Sequence, residues 1–258
     1  MSFRRAAPHT ALLVFLILGG GCASVPHEPA ARAEFKANND PLEPLNRKTF
    51  AFNQFLDRVL IKPVALGYRH LIPQKGRNAV RHFLDNLNEP IVLINDVLQG
   101  RLKSAATTTG RFVVNSTAGI GGLSDVASHN RLPRQTGDFG QTLSHWGFGE
   151  GPYLILPVVG PTNPRDGIGR GVDIYFDPFR YIAKSYHYPT SVTVGRTILD
   201  GVDQRERNIA PLDEMQHEAV DYYASFRSLF RQHRAAELNT GPVVTTTPPP
   251  NFYDDPGK

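Results

Sequence analysis

Few residues in this chain have the types and spacing needed to make or break a covalent bond. His217-Glu218 begins an HExxH pattern, but Asp221 stands where the second histidine belongs, so no zinc-binding pair shares a helix face. Ser144 and His145 are adjacent, and neighbours on a helix do not face each other. There is no GxSxG elbow and no GxxxxGK[ST] loop, and GIGGLS at 119–124 departs from GxGxxG at its last position. Asp254 and Asp255 form a carboxylate pair, but in a Pro- and Thr-rich tail where solvation is the simpler reading. The sequence therefore nominates no catalytic residue, no metal site and no cofactor.

Cys22 is the one residue whose position suggests chemistry. As the only cysteine it can make neither an internal disulfide nor a thiolate-rich zinc site. Before it stand Arg4 and Arg5, an apolar run at 11–18 and three small residues, Gly19, Gly20 and Gly21. That order is a secretory signal peptide over 1–21, since the run is far short of the ~20 residues of a spanning helix. Acylation of Cys22 is expected, although Gly19 holds the position where such sites usually carry Leu; ordinary cleavage near Ala23 is the alternative. Ala23 at the position after the cysteine fits an outer-membrane address. Covalent acyl chains add about 0.8 kcal/mol of membrane affinity per buried CH₂.

The chain carries 28 Lys and Arg against 24 Asp and Glu, and loss of Arg4 and Arg5 with the leader reduces that excess. No basic tract marks nucleic-acid binding. A lipidated linker is read over 22–38, one domain over 39–239 and a disordered tail over 240–258. Within the domain the periodicity is all-α. Asp40-Pro41-Leu42-Glu43 resembles a capping box at a helix start, and Lys62-Pro63 ends or bends the helix that follows. Short helices are expected over 78–87, from Pro90 to a stop at Gly100, over 103–117 and over 139–146. Asn163-Pro164 and Asp177-Pro178 are further starts, and a segment from Pro189 through Val202 follows. One long last helix is expected over 211–238, with Met215, Ala219, Tyr222, Phe226 and Leu229 apolar and Arg227, Arg231, Arg234 and Glu237 wet. YLIL at 153–156 has strand composition, but Pro157 argues against a central sheet position. Periodicity alone fits an ordinary α-domain whose apolar stripes form its core.

Several stretches, taken in order, closely resemble the MlaA (VacJ) family of outer-membrane lipoproteins. They are NDPLEPLNRKTFAFNQFLD at 39–57, KPVALGYRHLIPQKGRNAV at 62–80, NLNEPIVLINDVLQG at 86–100, RFVVNSTAGIGGLSDVA at 111–127 and DFGQTLSHWGFGEGPYLILPVVGP at 138–161. The resemblance implies a ring of mostly short amphipathic helices around a central channel, lying in the inner leaflet of the outer membrane. It implies physical handling of phospholipid to preserve lipid asymmetry, with outer-membrane porin trimers and a soluble periplasmic lipid-binding protein as partners. A membrane-tethered scaffold that conducts no lipid is the alternative, and a phospholipid hydrolase a distant third. Under the resemblance Gly147, Gly149 and Gly151 fall in a gating loop, and Asn53 lies where it could affect channel closure. Charged residues in apolar surroundings, Arg165, Asp166, Asp173 and Arg196, are the channel-lining candidates, and the family carries a basic residue at the position of Arg196. Gly119, Gly121 and Gly122 read as a hinge or as a tight helix junction.

Overall fold

The computed structural model describes residues 25, 26 and 28–239. The leader, Cys22 and the tail over 240–258 lie outside the described residues. Part of the segment read as linker is helix α1 (Pro29–Asn38).

Helix α2 (Glu43–Leu56) runs through a widened π turn (Asp57–Ile61) directly into α3 (Lys62–Leu71). Lys62-Pro63 therefore does not end the helix. A proline ring crowds the carbonyl four residues back, and the π turn opens the backbone just ahead of it, with the Lys62 N–H donating to the Asp57 carbonyl. Helix α4 (Gln74–Leu98) is likewise one helix of 25 residues where two were expected, with Pro90 inside it. An internal proline costs ~3 kcal/mol. Burial of Leu84, Glu89, Ile91 and Val92 on both sides of Pro90 offsets that cost. Glu89 pairs at 2.9 Å with Arg111 of α5 (Leu102–Thr117). Gly100, at φ 70°, closes α4 as its sequence position suggested.

After α6 (Val126–His129) and α7 (Phe139–His145), YLIL does form a strand. β1 (Leu154–Leu156) pairs antiparallel with β2 (Gly160–Thr162), placing Leu154 opposite Thr162. Pro157 falls in the turn, where its missing N–H breaks no ladder bond. Helix α2 holds this hairpin with two side-chain amides. Asn46 donates to the Tyr153 carbonyl at 3.0 Å and accepts from the Ile155 N–H at 2.9 Å. Asn53 does the same at the tip, with the Leu156 carbonyl at 2.9 Å and the Val158 N–H at 2.8 Å.

The remaining helices are α8 (Pro164–Phe176), α9 (Pro178–Ser185), α10 (Thr190–Arg207), α11 (Ile209–Glu218) and α12 (Tyr222–Asn239). The expected long terminal helix is thus two. Ala219 turns extended, Val220 faces outward, and Asp221 restarts the chain by accepting the Ala224 N–H at 3.1 Å.

These helices close on themselves. α3 meets α10 through Arg69 and Glu206, 2.8 Å apart, and α10 meets α4 through Asp203 and Arg81 at 3.5 Å. α4 meets α7 through Thr142, which donates to Asn95 at 2.7 Å. α7 and α8 meet α12 at Arg234, and α12 meets α2 where Arg47 donates to Asp221 at 2.6 Å. The result is a ring. Its apolar packing is a seam between α2, the hairpin and α12, where Phe50 stacks edge-on against Tyr223 at 5.5 Å with Tyr153 and Ile155 beside them.

Burial is inverted relative to a water-soluble bundle. Among the described residues, buried polar and charged side chains outnumber buried apolar ones by roughly two to one. Large apolar side chains such as Phe52, Phe55, Val59, Leu60, Leu71 and Ile198 are exposed. Asp40 is not a helix cap. It is buried, hydrogen-bonded to Tyr223, and lies 2.7 Å from Arg227 and 2.8 Å from the Asn46 amide. Arg227 and Arg234, expected on a wet face, are buried as well. Periodicity found their polar face, but the carboxylates covering it come from distant helices.

Arg234 forks across Asp138 at 2.7 and 2.8 Å and across Asp166 at 2.9 Å. Arg234→Ala leaves Asp138 without its cation and Asp166 with Arg165 alone. Its expected cost is about 3–5 kcal/mol, read as a lower denaturation midpoint in detergent solution, with Arg234→Lys recovering only part because an ammonium cannot fork.

Candidate functional site: a charged cavity inside the ring

The ring encloses a cavity of about 1920 Å³. Small-molecule pockets span roughly 300–1,000 Å³, so this one accommodates something larger. On α4 the lining residues Gln74, Arg77, Asn78, Arg81, Asp85 and Asn88 recur every three or four positions, making one polar stripe. α10 presents a second stripe with Thr193, Arg196, Thr197, Asp200, Gln204 and Arg207. α8 contributes Arg170, Asp173 and Ile174, and α9 contributes Phe179 and Arg180. The opposite face of the same α10 exposes Val192 and Ile198. Each wall helix is amphipathic, with its charges turned inward.

At the meeting of α3, α4 and α10, four guanidinia share two carboxylates. Arg69 and Arg77 lie 2.8 and 3.3 Å from Glu206, while Arg81 and Arg207 lie 3.5 and 3.1 Å from Asp203. Elsewhere in the wall Arg134 forks across Asp85 at 2.6 and 2.7 Å, and Arg196 lies 2.7 Å from Asp177 with its guanidinium over the Phe179 ring. Burial pushes the Asp173 and Asp200 carboxyls above the ordinary range. Among the described residues no group of His, Cys, Asp or Glu is arranged to hold a metal ion. No described helix is long and apolar enough to cross a membrane.

The MlaA lipoprotein family matches residues 38–237. The chain belongs to that family. An Escherichia coli K12 protein called intermembrane phospholipid transport system lipoprotein MlaA is 33% identical over 86% of this chain and 84% of its own. The Haemophilus influenzae protein of the same name is 32% identical over 80% and 82%. A solved structure, described as the structural basis for maintenance of bacterial outer membrane lipid asymmetry, is also similar. It has a TM-score of 0.68 and 31% identity, over 78% of this chain and 99% of that one.

Within this MlaA-family ring the residues singled out from sequence take different places. Asp173 and Arg196 line the cavity. Asp173 accepts the Phe139 N–H at 3.0 Å and the Asn95 amide at 2.9 Å. Arg165 and Asp166 are not in the cavity wall; both are buried, 3.1 Å apart, in the Arg234 joint. Their apolar sequence context identified burial without saying what they face. Sequence does not single out the arginines of α3 and α4, because helical spacing shows a polar stripe but not whether it borders solvent or an enclosed space.

The glycine loop is tethered at both ends. The N–H groups of Gly147 and Phe148 return to the Ser144 and Leu143 carbonyls at 2.9 Å and close α7. Glu150 accepts from the Asn39 amide at 3.0 Å and from Arg231 at 3.2 Å, and Asn39 also donates to the Gly151 carbonyl at 2.7 Å. Gly147 and Gly151 require φ of 90° and 73°. Gly149, between the tethers, has no such φ, and a Cβ there meets nothing within 4 Å. The second glycine group is packed tightly. A Cβ on Gly119 would stand 2.3 Å from the Ser124 carbonyl, and one on Gly122, at φ 95°, 2.6 Å from the Asn86 side chain. Gly121 has φ 69° and open space around it. Gly119 and Gly122 are thus closely packed, and Gly121 between them is not.

Gly122→Ala is therefore expected to cost about 1–3 kcal/mol and Gly149→Ala to stay within about 0.5, compared by denaturant unfolding. Asp125, beside the junction, supplies a pH test. Burial raises its carboxyl, but bonds from Ser128, Arg111 and Asn115 outweigh that and hold it at about 2. The stability it contributes, on the order of 2 kcal/mol, is present above the unfolded-state value near 4 and disappears as pH falls toward 2. Asp125→Asn should flatten the acid limb of the stability curve in that window.

Proposed function

We propose that this protein is an outer-membrane lipoprotein that passes mislocalised phospholipid through the ring, maintaining outer-membrane lipid asymmetry. The observation that carries the reading is the inverted polarity of the wall, with guanidinia and carboxylates inside and Phe52, Phe55, Val59 and Ile198 outside. A headgroup dragged through hydrocarbon loses its hydration at a cost of several kcal/mol or more, and a polar passage removes most of it. Nothing in this task needs a bond broken, so the lack of a nucleophile motif costs the protein nothing.

In this reading the apolar helix faces lie among acyl chains of the inner leaflet, and lipid on Cys22 tethers the chain on the periplasmic side. Amphipathic helices suit such a position because each keeps its own backbone hydrogen bonds while its apolar face lies along the leaflet. Porin trimers seat the ring in the membrane, and a soluble periplasmic lipid-binding protein exchanges lipid with it. Arg196, paired with Asp177, keeps the wall cationic along the path of the lipid phosphate. The glycine loop gates entry, swinging at Gly149 while the Glu150 tether holds the strand side.

The test is deletion of the gene followed by measurement of phospholipid accessible in the outer leaflet. Deletion should raise it, and the wild-type gene should restore it. Cys22→Ser should restore little. Arg196→Glu should transport about tenfold more slowly, equivalent to ~1.4 kcal/mol, and Gly149→Pro should leave asymmetry defective. Unchanged outer-leaflet phospholipid after deletion would overturn the function. A protein that still binds porin with its cavity plugged and shows normal asymmetry would be a scaffold.

A further inference from the structure

Two cations in the cavity wall stand apart. Every other arginine lining the cavity lies within ion-pair reach of a carboxylate, as described above for Glu206, Asp203, Asp85 and Asp177. Arg170 and Arg180 do not: among the described residues no carboxylate lies within 4.0 Å of either guanidinium, and both side chains are exposed to the cavity. Their positions are linked. Arg180, on α9, donates from Nη1 to the carbonyl of Ile174 at the end of α8, at 3.2 Å. Arg170 lies four residues before Ile174, hence one turn away on the same face of α8. The two residues therefore stand on consecutive helices and line the same cavity. The acids close by are already engaged, Asp173 with the Phe139 N–H and Asn95, and Asp177 with Arg196 and the first turn of α9.

We propose that Arg170 and Arg180 form an anion station in the cavity that takes the phosphodiester of a net-negative phospholipid, in preference to a zwitterionic one. This rests on the lipid-passage reading and adds headgroup selectivity to it. A guanidinium has five donors in a planar fork that matches phosphate oxygens, and two such forks without counter-charge leave a local positive surplus. A net-negative headgroup such as phosphatidylglycerol neutralises that surplus. The ammonium of phosphatidylethanolamine adds to it, and the cavity carboxylates that lack a cation within ion-pair reach, Asp173 and Asp200, are hydrogen-bonded to Asn95 and Gln204.

The full-length acylated protein is purified in detergent micelles containing equimolar phosphatidylglycerol and phosphatidylethanolamine, and the retained lipid is quantified by mass spectrometry. Wild type is expected to retain phosphatidylglycerol over phosphatidylethanolamine by about tenfold, the effect of one well-made charge-assisted contact. Arg170→Gln with Arg180→Gln should bring the ratio near one while phosphatidylethanolamine stays bound. Lys48→Gln, an exposed cation on α2 away from the cavity, should leave the preference intact. Should the double Gln variant lose both lipids, the Arg170→Lys, Arg180→Lys pair decides: a retained preference supports the station and an equal ratio rejects it. Equal retention by wild type, or a preference untouched in the double Gln variant, overturns selectivity alone. Retention of neither lipid by wild type overturns lipid passage with it. Complete displacement of phosphatidylglycerol by inorganic phosphate at low millimolar concentration would reassign the station to the free anion.

Discussion

Around the ring, most joints between wall helices are made by a guanidinium reaching the carboxylate of another helix. Arg69 and Arg81 bind α10 to α3 and α4, Arg111 binds α5 to α4, Arg196 binds α10 to the start of α9, and Arg234 gathers the cap of α7 and the first turn of α8 onto α12. Buried pairs of this kind add little net stability over apolar packing, because desolvation consumes most of the attraction. What they impose is register. An apolar contact tolerates sliding, whereas a forked pair is satisfied in one geometry only. Held this way, the helices can surround a space that no core fills.

The polar joints also decide where the apolar residues go. With the interior occupied by ion pairs, the large apolar side chains divide between a thin aromatic seam around Phe50, a few buried positions on α4 such as Leu84, Ile91 and Val92, and the exposed surface. An outer surface with Phe52, Phe55, Leu60 and Ile198 exposed fits hydrocarbon better than water. The inversion of polarity and the absence of a central core are thus one property, and the MlaA-family ring follows from it.

Local signals in the sequence proved reliable where they depend on a few neighbouring residues. Asn163 caps α8 by accepting the Asp166 N–H at 2.8 Å, Asp177 caps α9 by accepting the Phe179 N–H at 3.0 Å, and Gly100 ends α4. Signals whose outcome depends on distant parts of the chain are ambiguous in sequence. Pro90 and Pro63 looked like breaks because the packing and the π turn that accommodate them leave no local trace. Asp40 looked like a cap because its partners Tyr223 and Arg227 lie some 180 positions away. Arg165 and Asp166 were legible as charges in apolar context but not as members of a joint. The cavity as a whole was legible only through family resemblance, since an amphipathic period is identical for a helix facing a solid interior and one facing a hole.

The seam between α2 and α12 has a consequence for how the molecule forms. It joins Asn46, Arg47 and Phe50 near the start of the domain to Asp221, Tyr223 and Arg227 near its end. Contacts so far apart in sequence carry the largest loop-closure entropy and form late. The intervening helices can be made and docked in order as an open arc, with the bracelet fastened last by the C-terminal segment. A chain halted before α12 would keep most of its helices and their apolar outer faces but lack the joints to α2, α7 and α8, so the ring closes only when α12 docks.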